Sequence, residues 1–267
     1  MILKHAVVIG LTAVLLAACA TSPTGRRQLM LVSESQAINA SASAYVQMLK
    51  PFADKGKVDN DPTVKARVTR ITERLVAQAV KMRPDTAAWE WDIKVIDDPK
   101  VVNAWCMAGG KMAIYTGLIQ QVRATDDEIA QVMGHEIAHA LANHQAEKMS
   151  MAMATSLGVA AVGAATDRPG VATGAALAAT VAISLPNSRT AESEADRIGI
   201  ELAAKAGYDP RAAVTLWEKM GTVGGSGPPQ FLSTHPAPEN RKQTLSALVP
   251  QMLPYYESKE ARPVFNL

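Results

Sequence analysis

Apolar residues recur at intervals of three and four along most of this chain, the period of an amphipathic helix. Asp61-Pro62 supplies a capping residue and a proline at the first helical position. Val64, Val68, Ile71, Leu75 and Ala79 then share one face to about Met82. Ser33-Glu34-Ser35-Gln36 has the reciprocal pattern of a capping box and predicts a helix to about Lys50, followed by a loop over 51–61. Thr125-Asp126-Asp127-Glu128 repeats that signal before a helix reaching about His144. Further helices are expected over 189–206, up to about Met220, and over 239–248. Residues 89–96 break the pattern: apolar and polar positions alternate with period two, which predicts a strand. Residues 101–106 and 111–115, separated by Ala108-Gly109-Gly110, read as paired strands. The expectation is a mainly α chain of the α+β class, with a small sheet beside the helix that begins near Asp126.

Two stretches lie outside this pattern. Residues 1–18 carry Lys4 and then a short apolar run, and end in Leu16-Ala17-Ala18 before Cys19. That run is short for a membrane span, and small residues before a cysteine resemble the bacterial lipobox. Cys19 is the expected lipidation site, and Ala20 after it favours an outer-membrane lipoprotein facing the periplasm. The division that follows is a signal peptide over 1–18, a tether over 19–32, a catalytic-type domain over 33–250 and a tail over 251–267. Residues 149–185 are nearly all Ala, Gly, Val, Met, Ser and Thr, broken by Asp167-Arg168-Pro169-Gly170. They read as a helical hairpin, either buried by its neighbours or in contact with a membrane.

Composition narrows the picture. The chain has 267 residues, 48% hydrophobic and only 4% aromatic, so it can bury a core built from small aliphatic side chains. Its 27 basic and 25 acidic residues leave a net charge of +2, no electrostatic case for a nucleic-acid partner. Two cysteines exclude a disulfide scaffold and a four-cysteine zinc ribbon. Cys106 is expected to be a buried thiol.

His135-Glu136-Ile137-Ala138-His139 places two imidazoles one helical turn apart on the same face, where both can ligate one Zn²⁺. Glu136 is offset beside them, placed to take a proton from a water. A third ligand is needed. Ala142 and Gln145 stand where a metzincin has glycine and histidine, and His144 is turned away from the ligand face. Glu192, 53 residues past His139 in Ala191-Glu192-Ser193-Glu194-Ala195-Asp196, is the better candidate. Asp196 shares its face, placed to orient a ligand histidine. His235, in Ser233-Thr234-His235-Pro236, follows a glycine- and proline-rich stretch. It reads as a fourth ligand, as an oxyanion donor or as a loop histidine.

H-E-I-A-H-A, the E-S-E-A-D-R-I-G run and S-T-H-P resemble the HtpX, BepA and LoiP group of gluzincin metallopeptidases. The tether Thr24-Gly25-Arg26-Arg27-Gln28-Leu29 is similar to that of its periplasmic lipoprotein members. The resemblance covers about residues 24–245. It implies one zinc per chain at His135, His139 and Glu192, Glu136 as the catalytic residue, and endopeptidase activity on unfolded or misassembled envelope proteins. Trp105-Cys106-Met107 departs from the residues usual in the strand near the cleft. A substrate strand is expected to add to the 111–115 strand as an edge. The competing reading is a chaperone or outer-membrane assembly factor with a latent or structural zinc site.

Overall fold

The computed structural model describes residues 19–165, 188–223, 229–236 and 240–267. In chain order its elements are β1 (Cys19–Thr21), β2 (Arg27–Leu29), α1 (Glu34–Ala53), α2 (Pro62–Met82), β3 (Asp92–Ile96), β4 (Ala104–Met107), β5 (Lys111–Tyr115) and α3 (Thr116–Gln121). There follow α4 (Asp126–Leu141), α5 (His144–Ala165), α6 (Arg189–Lys205), α7 (Ala212–Thr222), α8 (Gln230–Thr234) and α9 (Arg241–Glu257). The fold is mainly helical with small sheets, as the periodicity predicts. It divides into two compact units, one of residues 1–37 and 143–185, the other of residues 38–142 and 186–267.

In the first unit, β1 and β2 form an antiparallel hairpin with Cys19 opposite Leu29. The Arg26 guanidinium donates to both Glu147 carboxylate oxygens, at 2.7 and 2.6 Å, and Gln28 adds a bond of 2.9 Å. The Val32 amide donates to Ser150 Oγ. The stretch expected as a tether is thereby fastened to the first two turns of α5. Among the described residues no helix is long and apolar enough to cross a membrane. The expected leader over 1–18 and the second arm of the hairpin lie outside the described residues, as does the side chain of Cys19.

The second unit is built around a three-stranded sheet of order β3-β5-β4, with β3 parallel and β4 antiparallel to β5. This corrects the expectation that the 111–115 strand is an edge. Lys111–Tyr115 is the central strand, flanked by β3 and β4. Sequence adjacency pairs β4 with β5, but β3 returns through a crossover and takes β5's other side. Val68, Ile71 and Leu75 of α2 meet Ile129, Met133 and Ile137 of α4 and Ile93, Met112 and Ile114 of the sheet in one core. Tyr45 and Leu49 of α1 join Ala113 and Tyr115 in a second cluster. Side chains alternate across a strand, so the sheet is apolar on both faces.

The expected helix ends at Lys50 and at residue 248 are both passed, in each case through proline. Pro51 sits in the last turn of α1, where the lost N–H costs one bond. The last helix runs on through Pro250 and Pro254 to Glu257. Leu245, Leu248, Val249, Met252 and Tyr256 hold it there, packed against Ile200 and Ala213.

Helix α4 starts at the predicted capping box, with Thr125 and Glu128 bonded reciprocally. Glu128 also takes bonds from Thr215 and Lys219 of α7. Farther along, α4 crosses α6 at Gly134 and Gly199. A Cβ on Gly134 would stand 2.8 Å from the Gly199 carbonyl oxygen, and one on Gly199 would stand 2.7 Å from the His135 nitrogen. No side chain fits between the two backbones, and this contact brings the α6 carboxylates up to the α4 histidines. Replacing Gly199 by alanine is expected to push the helices apart, at a cost of about 2–3 kcal/mol. Thermal denaturation with metal analysis should show a lower Tm together with loss of bound zinc; wild-type values would contradict the close crossing.

Candidate metal centre

His135 and His139 project from the buried face of α4 with their Nε2 atoms 3.0 Å apart. Glu192, in the first turn of α6, faces both. Its Oε2 lies 3.3 Å from His135 Nε2, and its Oε1 lies 3.2 Å from His139 Nε2. His235, just past α8, closes the group, with Nδ1 3.3 Å from His135 Nε2 and 3.0 Å from Glu192 Oε1. One ligand atom from each of the four lies within 4.8 Å of the other three. The structure therefore brings together the three sequence-predicted ligands and His235, for which a fourth-ligand position is one of the sequence readings.

The donor set fits zinc. Tetrahedral donors about 2.0–2.1 Å from one ion stand about 3.3 Å from each other, close to the spacings above. Glu192 is fully buried, and its Oε2 accepts no hydrogen bond. A buried carboxylate oxygen needs a cation or a donor.

The sequence profile of peptidase family M48 matches residues 62–249, most of the chain. The chain belongs to this family. It is 39% identical to the mitochondrial metalloendopeptidase OMA1 of Arabidopsis thaliana over 156 residues, 58% of this chain and 31% of that protein. It is 33% identical to human metalloendopeptidase OMA1 over 261 residues, 91% of this chain and 48% of that protein. It is 30% identical to the beta-barrel assembly-enhancing protease of Escherichia coli over 223 residues, 79% of this chain and 43% of that protein. The chain thus spans about a third to a half of the length of these relatives. M48 metallopeptidases are zinc-dependent, in keeping with the donor set.

Around the M48 centre the charges are tightly coupled. Asp196 Oδ1 stands 3.0 Å from His135 Nδ1, on the side of the ring away from Glu192. Burial works against a charged His135, but Glu192 and Asp196 outweigh it and lift the metal-free imidazole to about 9. Burial works against a charged Glu192 too, yet the facing histidines hold it well below the usual carboxylate range. Glu136 is also buried, with Oε1 3.3 Å from His235 Nε2. Burial raises its carboxyl above the ordinary value, against the opposing pull of His235 and His135. The backbone amide of Cys106 faces that carboxylate. Burial, with Glu136 nearby, pushes the Cys106 thiol far up, so it stays neutral. His144 belongs to the other unit and is buried.

Sequence reasoning missed Arg241. Its guanidinium is buried, stacked 3.6 Å over the Trp217 ring. It donates to Asp196 Oδ1 at 2.5 Å, and its Nη1 lies 3.2 Å from Glu192 Oε2. One cation thus braces the carboxylate behind His135 and the carboxylate in the donor group. The readable signal was a basic residue opening a helix whose first turn holds no acid, against the helix dipole.

In the metal-free protein a proton on His135 occupies the place of the ion below about pH 9. Zinc must displace it, so affinity falls as pH falls. The expected slope is about tenfold per pH unit between pH 8 and 6. Competition against a chelator of known proton linkage measures this, and a flat profile would contradict it.

Proposed function

We propose that this chain is a zinc-dependent endopeptidase of the bacterial envelope, held at the outer membrane through lipidated Cys19 and facing the periplasm. Its substrates are unfolded or misassembled envelope proteins. His135, His139 and Glu192 are the zinc ligands, Asp196 orients His135, and Glu136 is the catalytic base. The observation that carries this reading is the placement of Glu136, a buried carboxylate beside the donor group but not part of it. The metalloendopeptidase and assembly-enhancing protease names of the relatives support it.

Zinc, when bound, polarises the scissile carbonyl and acidifies an attacking water. The remaining chemistry belongs to the chain. Glu136 takes the water proton at Oε1 and hands it to the leaving amine nitrogen. Its raised carboxyl suits both acceptance and return of a proton. Backbone groups of Ala104 and Cys106 alternate with those bonded to β5 and point along the outer edge of the sheet. An extended substrate lies there, beside Glu136.

His235 makes this a latent enzyme. Its Nδ1 sits in the donor group and its Nε2 points to Glu136, so the ring fills the space a water needs. Activation removes the ring from that space.

Glu136→Gln is expected to keep zinc and lose casein cleavage by about 100-fold or more. His235→Ala is expected to keep zinc and cleave faster than wild type. If Glu136→Gln still restores envelope integrity in a deletion strain, the chain acts as an assembly factor and the peptidase reading fails. Cys19→Ser is expected to move the protein from the membrane fraction to the soluble periplasm.

A further inference from the structure

The segment that carries His235 places a second side chain beside the metal centre. Phe231 is 1% exposed, and its ring stacks on His235 at 4.5 Å with an interplanar angle of 23°. The ring lies 6.1 Å from the His135 ring and 5.8 Å from Trp217. With Val132, Leu216, Trp217 and Leu245 it closes an apolar pocket against His135, leaving a cavity of about 20 Å³.

The backbone of Phe231 is engaged as a substrate's would be. Its amide donates to the Val102 carbonyl oxygen at 3.1 Å. Asn103 spends its carbonyl on Tyr115 of the central strand, so Val102, like Ala104 and Cys106, turns its backbone groups outward. An incoming chain that extends a sheet uses hydrogen bonds of this kind for affinity and a neighbouring pocket for specificity. Phe231 and His235 together thus hold a carbonyl just ahead of β4, a side-chain pocket and a position in the donor group.

We propose that Phe231 occupies the pocket that receives a large apolar side chain of the peptide substrate, so that the enzyme cleaves next to Phe, Leu or Met. This rests on the peptidase reading above. The lining explains the choice. Its polar members are already engaged: Gln131 donates to the Asp209 carbonyl, and Asp196 pairs with Arg241 and His135. A charged side chain entering there loses its water among mostly apolar side chains. A small one leaves most of the pocket unfilled once Phe231 has moved out.

The test uses the zinc-loaded full chain and a set of fluorogenic peptides that vary one residue beside the scissile bond. Phe, Leu and Met peptides are expected to be cleaved at least about tenfold faster than Ala, Asp or Lys peptides. Phe231→Ala should raise cleavage of the Phe peptide several-fold. A second arm needs no turnover. Zinc-loaded Glu136→Gln is titrated with the same peptides while tryptophan emission is followed, and Glu136→Gln/Phe231→Ala should bind the Phe peptide more tightly than Glu136→Gln does. Cleavage with no preference, or a preference for small or charged residues, overturns the pocket while leaving the peptidase intact. Peptides that bind by the predicted preference but are never cut overturn the peptidase and keep the pocket. If Phe231→Ala merely lowers Tm and slows cleavage, Phe231 is ordinary core and the proposal falls.

Discussion

A carboxylate with no contact with solvent must be paid for in positive charge, and Glu192 sets that demand at the centre of this protein. Three imidazoles face it and one guanidinium approaches its far oxygen. Breaking up such a buried group by removing one partner is far costlier than losing a surface pair. The surrounding elements follow from that. Helix α4 supplies two rings one turn apart, α6 supplies the acid, and the start of α9 supplies Arg241. The zinc dependence of the family supplies a further cation to a carboxylate oxygen that accepts no hydrogen bond.

The crossing of α4 and α6 meets this demand by geometry. Gly134 and Gly199 let the two backbones touch, which brings Glu192 within reach of the histidines. The apolar remainder of the second unit fixes where that crossing occurs. The sheet with α2 holds one side of α4, and α7 holds its N-terminal turn through Glu128. Site and core are therefore one construction, with the polar cluster seated among aliphatic side chains.

Much of this was legible in the residues. The spacing of His135 and His139 follows from the helical period, and Asp61 and Thr125 announce their helices because capping is a local interaction. Asp196 was readable from sharing a face with Glu192. What could not be read depends on distant partners. The strand order was hidden because adjacency in sequence pairs β4 with β5 but says nothing of which strand takes the other side. Arg241 looked like one more surface arginine, since Trp217 and Asp196, which give it a purpose, lie on two other helices. Helices α1 and α9 run past their expected ends, and in α9 the packing of Leu245, Met252 and their neighbours outweighs the missing N–H groups. Gly134 and Gly199 were visible, but each alone is only a weak helix residue.

The most direct test of this account is X-ray absorption at the zinc edge on the purified, zinc-loaded chain. Three imidazoles and one carboxylate oxygen are predicted around a single ion, and His235→Ala should keep two imidazoles and the carboxylate. A zinc shell without paired imidazoles, or one unchanged when Glu192 is replaced by alanine, would contradict it.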